Sequence, residues 1–233
     1  RRVFCCNIYF NMNIQHFISL GTLCHPARML QRIHVKNVSY PFDWMFTDEN
    51  VIIDILNDDF TKFMDKSYYG DVKNKFSERT CGHSLYHEDF FFHKNPRNED
   101  DYLYYQRCIN RFKGMLRDPG EKLFIMMYAP GSTKHPTDVY KLFNEEYHTE
   151  TILNNLRLRG ENLNNTLMKF TNNYKLLIVM NFGNNEKQSF QMVHHGNIHY
   201  LTLNTLSEST GVTFKDNADN LFFSGIMCEH YLK

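Results

Sequence analysis

The sequence lacks a net charge, a long apolar run and the glycine-rich loops that bind nucleotides. Lys plus Arg and Asp plus Glu each total 26, so we expect no strong electrostatic footprint for nucleic acid or an anionic membrane. No apolar segment approaches the roughly 20 residues of a membrane-spanning helix. Neither a dinucleotide fingerprint nor a phosphate-binding Gly-Lys-Ser/Thr loop is present, and His194, His195 and His199 match no metal-ligand spacing. We therefore predict no nucleic-acid or membrane partner, no metal and no cofactor.

The six cysteines form no paired motif and no framework of the kind that secreted proteins carry. We interpret them as reduced thiols, and Cys81, Cys108 and Cys228 as small buried hydrophobes. The first residues contain no long apolar stretch and no small-residue cleavage site, so they do not resemble a signal peptide. These features predict a cytoplasmic protein.

Length and composition fit one globular domain. The chain has 233 residues, of which 42% are hydrophobic, and it includes 20 Phe and 14 Tyr. This is enough apolar mass for a core without disulfide staples. The first methionine is Met12, so we predict that residues 1–11 form a tail outside the fold and that residues 12–233 form a single domain.

Apolar runs and helical spacing alternate along the chain. Continuously apolar runs predict buried strands, and apolar residues three or four positions apart predict helices. The predicted strands cover 17–20, 90–92, 123–128, 176–180 and 199–203, and the predicted helices start at Pro26 or cover 48–60, 100–117, 149–170 and 218–232. We expect residues 61–85 to be irregular, 183–197 to form a surface excursion and the fourth helix to bend near Gly160. The alternation predicts an α/β fold with a mostly parallel central sheet and helices on both faces.

Cys24 lies at the turn between the first predicted strand and the helix that starts at Pro26. Backbone N–H groups at a helix N-terminus stabilise negative charge, so we expect the pKa of the Cys24 thiol to be lowered. The same groups could hold an oxyanion or a phosphate. Gly21 would let the backbone approach a ligand closely, and Gly21, Thr22 and His25 form the predicted ligand turn. The ordinary alternative is a buried structural cysteine.

A cysteine nucleophile also needs a base and a group that orients the base. His93, directly after a predicted strand, is the first candidate base, and His87 is its rival. Asp43 is the candidate orienting group, because a carboxylate between aromatic residues is costly to bury unless it is paired. Each of these side chains has an ordinary interpretation as well, as a satisfied polar residue or a local turn cap. If the strands before Cys24 and His93 are parallel, both residues lie at the carboxyl edge of the sheet.

Several motifs of this chain resemble an uncharacterised family described as papain-like cysteine peptidases. They are FISLGTLCHPARML, SYPFDWMFT, FFFHKN and YYQRCINRF, followed by KLFIMM. The family is a domain of unknown function found in bacteria and large viruses, and the resemblance spans most of residues 12–128. It implies Cys24 as nucleophile, His87 or His93 as base and Asp43 as part of the site. It also implies a papain-like α+β fold as the alternative to α/β, and the host cytoplasm for a viral member.

Three functions remain open at this point. The first is a cysteine hydrolase or acyl transferase in which Cys24 attacks a peptide, amide or thioester of a small-molecule or peptide substrate. The second is a transferase-like domain that binds a nucleotide-sugar or another phosphorylated ligand at the Gly21–Cys24 turn, where the cysteine only fills space. The third is a non-catalytic interaction domain. A separation of roughly 3–4 Å between the Cys24 sulfur and a histidine nitrogen would favour the first.

Overall fold

A computed structural model describes residues 14–72, 80–129 and 149–232, so the predicted tail, 1–11, lies outside the described residues. The strands are β1 (Ile14–Ser19), β2 (Tyr69–Gly70), β3 (Cys81–His83), β4 (His87–Phe91), β5 (Glu121–Tyr128), β6 (Tyr174–Phe182), β7 (Ser189–His195) and β8 (Ile198–Asn204). The helices are α1 (His25–Arg32), α2 (Glu49–Asn57), α3 (Thr61–Met64), α4 (Glu99–Arg117), α5 (Thr149–Leu167) and α6 (Asn217–Tyr231), with one 3₁₀ turn at Lys66–Tyr68. No helix in these ranges combines the length and the apolar character needed to cross a membrane.

A five-stranded sheet forms the centre of the protein. Its order is β1-β5-β6-β8-β7, with the first four strands parallel and β7 antiparallel to β8 at the edge. Seven consecutive residues of β5, from Lys122 to Tyr128, are buried. Continuous burial of this kind is expected where both faces of a parallel sheet are covered, because side chains on alternate faces then both avoid water.

Helices cover both faces of this sheet. Tyr200 and His199 are neighbours in β8, so their side chains point to opposite faces. The Tyr200 hydroxyl donates to the Arg157 carbonyl oxygen in α5 at 3.2 Å, whereas His199 Nδ1 lies 2.7 Å from the Tyr231 hydroxyl in α6. The predicted α/β class, with a mostly parallel sheet between helices, is therefore confirmed. The mixed α and β content is also consistent with the papain-like alternative.

A second, three-stranded sheet was not predicted. Residues 61–85 were expected to be irregular, but they contain α3, the 3₁₀ turn, β2 and β3. These strands form an antiparallel sheet in the order β2-β3-β4. The strand before His93 therefore belongs to this small sheet and not to the parallel one, so the route by which His93 was expected to reach Cys24 was wrong.

The predicted surface excursion at 183–197 also contains a strand. β7 pairs with β8 through a two-residue turn at Gly196-Asn197, where Gly196 has a φ of +61°. A Gly-Asn pair between two short runs of strand-forming residues is a hairpin signal, because such turns need a positive φ. The side chains of β7 are all exposed or half-buried, and these include the apolar Phe190, Met192 and Val193, so the strand has no buried apolar run to predict it.

Gly160 does not interrupt its helix. α5 continues without interruption through this position. A Cβ at Gly160 would lie 2.5 Å from Ile178 Cδ1 and 3.0 Å from the Tyr200 hydroxyl, both on the sheet. The glycine therefore allows α5 to approach β6 and β8 closely.

Two glycines in helix interiors give a matched test of this packing. We expect Gly160→Ala to lower the free energy of unfolding by about 1–3 kcal/mol, because the methyl group must displace side chains of the sheet. Gly114→Ala in α4, where a Cβ would meet nothing within 4 Å, should raise it by about 0.5–1 kcal/mol through helix propensity. Urea unfolding of both variants checks this, and equal effects of the two substitutions would contradict the packing role of Gly160.

Candidate active site

Internal hydrogen bonds and a close backbone contact fix the turn between β1 and α1. Gly21 has a φ of +85°, and a Cβ there would lie 3.0 Å from the Phe42 carbonyl oxygen. The backbone N–H of Thr22 donates to Thr47 Oγ1 at 2.9 Å, and the Thr22 hydroxyl accepts from Met127 N at 3.2 Å. These contacts fix the chain direction just before Cys24 and join the turn to β5.

Cys24 and His93 are in contact at the start of α1. Cys24 occupies the N-cap position, and its sulfur lies 3.4 Å from Nε2 of His93, 69 residues away in sequence. Cys24 is 4% exposed. The separation falls in the range expected for a nucleophile and its base in a ligand-free site.

His93 reaches this position from the second sheet. It follows β4, whose residues Phe90 and Phe91 are completely buried and anchor the end of the strand. The imidazole packs at near-right angles against Phe92 and Trp44, with ring centroids 4.9 and 6.4 Å away. The aromatic contacts limit the orientations of the ring while one side of His93 stays exposed.

Burial reverses the expected direction of the Cys24 pKa. The sequence predicted a lowered value, but desolvation, with a smaller contribution from the negative charge of Asp43, raises the pKa of the Cys24 thiol to about 12. The partial charge at a helix N-terminus is worth only about 0.3–1 kcal/mol at exposed sites, and loss of hydration costs a thiolate more than that. Desolvation also lowers the pKa of His93 below its ordinary value of 6.5. At neutral pH the pair therefore rests as a thiol and an uncharged imidazole.

Asp43 is buried near this pair, and its hydrogen bonds go to other groups than the imidazole. Its Oδ2 accepts from Lys36 Nζ at 2.5 Å and from Tyr40 N at 2.7 Å, and both charged side chains are almost fully shielded from solvent. In the described part of the chain no hydrogen bond joins Asp43 to His93, and Asp43 Oδ1 has no hydrogen-bond partner there. The carboxylate was expected to need a partner, and that partner is Lys36. Its role as orienting group stays a prediction that no contact supports.

His87, the rival base, lies elsewhere. It starts β4, opposite His83 in the small antiparallel sheet, and its Nδ1 accepts from Asp89 N at 2.9 Å. His87 lines an open cleft together with Tyr86 and Glu88, and Cys24 is not among the residues of that cleft. The geometry brings His93, and not His87, to the sulfur.

The predicted ligand turn is mostly occupied by internal hydrogen bonds. The N–H groups of Gly21 and Thr22 donate to Ser19 Oγ and Thr47 Oγ1, so they are not free to hold a phosphate. The His25 imidazole points away, with Nδ1 2.8 Å from Ser209 Oγ, and burial lowers its pKa to about 3.

In the described part of the chain, the backbone N–H groups at the start of α1 are not used in hydrogen bonds, unlike those of the turn before it. Within the described ranges, the N–H groups of Cys24 and His25 have no acceptor. Pro26 supplies none. The N-cap residue and the first residue of α1 thus each keep a backbone donor without a protein acceptor in the described ranges.

A cavity of about 300 Å³ opens beside the pair, and the sequence did not predict most of its lining. Its walls come from five separate parts of the chain: Cys24, Pro41, Trp44, Met45, His93, Lys94, Tyr104, Tyr105 and Val212. Of these residues, Cys24 and His93 were predicted as site residues from the sequence. In the ranges that the structure describes, no group of three or more His, Cys, Asp or Glu side chains could hold a metal ion.

Fold and site together define a mixed α/β domain with a cysteine–histidine pair at the N-terminus of its first helix. The sequence profile of a family described as "putative papain-like cysteine peptidase (DUF1796)" matches residues 15–173, more than half of the chain. The chain belongs to this family, as the motif resemblance predicted. No curated protein and no solved structure matches the chain. The matched segment contains Cys24 and His93 and ends before β6.

The charge of Asp43 gives a test of the electrostatics at the sulfur. Because Asp43 contributes to the raised pKa of Cys24, we expect Asp43→Asn to lower that pKa and to speed alkylation of Cys24 by iodoacetamide several-fold at pH 9. Peptide mass spectrometry measures the rate, with Cys228 in the same sample as the internal control. Circular dichroism checks folding, since the variant leaves Lys36 buried beside a neutral amide. An unchanged or slower reaction at Cys24 in a folded variant would contradict the role of the Asp43 charge.

Proposed function

We propose that this protein is a cysteine-nucleophile hydrolase or acyl transferase acting on a peptide, amide or thioester. The observation that carries the proposal is the 3.4 Å contact between Cys24 Sγ and His93 Nε2 at the wall of an open cavity. Membership of a family described as papain-like cysteine peptidases supports the same chemistry. A cleft filled by aromatic side chains would have favoured a non-catalytic interaction domain, but this cavity is open.

The first half of the reaction transfers the acyl group to sulfur. As Cys24 Sγ attacks the carbonyl carbon, His93 Nε2 takes the thiol proton, a C–S bond forms and the carbonyl oxygen becomes an oxyanion. The oxyanion then collapses, the bond from carbon to the leaving group breaks, and the imidazolium returns its proton to the leaving amine or thiol. The products are a thioester on Cys24 and the free leaving group.

The second half releases the acyl group. In hydrolysis, His93 takes a proton from water, the oxygen of that water attacks the thioester carbon, and the proton passes to the departing Cys24 sulfur. In acyl transfer, an amine or alcohol replaces the water. Either route restores the thiol and the uncharged imidazole.

The start of α1 offers stabilisation for the oxyanion. The N–H groups of Cys24 and His25 lack protein acceptors within the described residues and lie at the positive end of the helix. Donors of this kind contribute most where charge develops in a site shielded from water. In this site the helix N-terminus acts on the oxyanion of the reaction and not on a resting thiolate.

Trapping of the acyl-enzyme tests the proposed function. We expect a phenyl thioester of a short carboxylic acid to leave one acyl group on Cys24, detected by mass spectrometry after acid quenching. Cys24→Ala should abolish the adduct, and His93→Ala should slow its formation by about 10²–10⁴-fold, the usual contribution of a general base. Cys228→Ala is the matched control and should acylate as the wild type does. Equal acylation of Cys24→Ala and wild type would refute the proposal.

The pH dependence of acylation tests the role of His93. The base must be uncharged to accept the thiol proton, and burial lowers its pKa below 6.5. The acylation rate should therefore persist as the pH falls to 6.5 and decline only in more acidic solution, where the imidazole becomes protonated. Stopped-flow acylation rates from pH 4 to 8 check this. A decline centred above pH 6.5 would be inconsistent with a partly desolvated base that rests uncharged.

A further inference from the structure

Most of the side chains that line the cavity beside Cys24 are apolar or aromatic. Of its lining side chains, six are aromatic, aliphatic or thioether groups: Pro41, Trp44, Met45, Tyr104, Tyr105 and Val212. Met45 and Tyr105 are almost fully buried and form its floor, while Val212 is 39% exposed and lies at the rim. A pocket with such a lining favours a ligand with an apolar surface, because binding removes that surface from water.

The positive charge of Lys94, the one lysine of this lining, is already balanced by neighbouring side chains. Lys94 Nζ lies 3.0 Å from Asp101 Oδ1 and 4.4 Å from the centre of the Tyr104 ring. An ion pair and a cation–π contact both hold this ammonium group, so it does not require an anionic ligand. The pocket therefore presents no uncompensated charge from Lys94 to a ligand.

A second cavity, which shares His93 and Lys94 with the first, has the opposite character. It measures about 390 Å³ and is lined by His93, Lys94, Asn98, Asp100 and Asp101. Cys24 lines only the apolar cavity, whereas His93 lines both. In the proposed reaction the sulfur bonds to the acyl carbon and the imidazole protonates the leaving group, so the cavity that Cys24 lines is the candidate for the acyl side.

We infer that the apolar cavity is the acyl-group pocket and that it selects an uncharged aromatic or branched aliphatic group next to the reacting carbonyl. This inference rests on the proposed function. The volume of about 300 Å³ is at the lower end for ligand pockets, which suits one side chain or a short acyl chain and not an extended polymer. Val212 is the rim residue whose polarity controls entry, and it lies outside the segment that the family profile covers.

Alkylation of Cys24 by two matched reagents tests the pocket without requiring turnover. N-ethyl iodoacetamide and N-(2-phenylethyl) iodoacetamide carry the same reactive carbon and differ in the apolar group. At pH 9 we expect the phenylethyl reagent to alkylate Cys24 about tenfold faster than the ethyl reagent, the ratio expected for partial burial of one phenyl ring. At Cys228, outside the cavity, the two rates should be nearly equal.

Two substitutions test whether the difference between the two alkylation rates arises in this cavity. Val212→Asp places a carboxylate at the rim and should reduce the phenylethyl-to-ethyl ratio several-fold. Leu206→Asp is the matched control, since Leu206 is 38% exposed and does not line the cavity, and it should leave the ratio unchanged. Both substituted positions are exposed and neither contributes to the cysteine–histidine pair.

The outcomes separate this inference from the proposed function. Equal rates of the two reagents at Cys24, or a ratio that Val212→Asp and Leu206→Asp change alike, would overturn the acyl pocket and leave the nucleophile intact. If neither reagent labels Cys24 while both label Cys228, the proposed function fails and the inference fails with it. A high ratio at Cys24 that falls only in Val212→Asp supports the pocket.

Discussion

The contact between the Cys24 sulfur and the His93 imidazole is the interaction on which the site depends. It joins the carboxyl end of a strand in the parallel sheet to the end of a strand in the small antiparallel sheet, and neither sheet contains both residues. The internally bonded turn at Thr22 fixes one partner, and aromatic packing against Trp44 and Phe92 fixes the other. The small antiparallel sheet therefore places His93 beside Cys24.

Burial decides the charge state of this pair. A helix N-terminus favours a thiolate, but the sulfur is shielded from water and lies near the carboxylate of Asp43, and these two effects outweigh the helix. In the proposed reaction Cys24 is therefore activated by proton transfer to His93 during attack, in the manner of a hydroxyl with a neighbouring base, and does not start as an ion pair. The same proposal assigns the N–H groups at the start of α1 to the oxyanion. Lys36 and Asp43 pair with each other between α1 and α2, and in the described part of the chain no hydrogen bond joins Asp43 to the imidazole.

Local patterns predicted much of this protein, and long-range packing supplied the rest. Continuous apolar runs predicted β5 and β6 because both faces of those strands are buried. β7 was not predicted, because an edge strand with half-exposed side chains has no buried apolar run. The choice of His93 over His87 and the contribution of Val212 to the cavity required tertiary structure. The direction of the Cys24 pKa did so as well, because spacing along a chain does not report desolvation.

The most direct measurement of the central claim is the thiolate absorbance of Cys24, obtained as the difference in ultraviolet absorbance near 240 nm between the wild type and Cys24→Ser across a pH titration. With a pKa raised to about 12 by burial, Cys24 should add no thiolate signal at neutral pH, and the difference should appear only in strongly alkaline solution. A difference equal to one thiolate already present at pH 7 would mean that the sulfur rests as an ion pair with imidazolium, and it would contradict a resting pair of neutral thiol and uncharged imidazole.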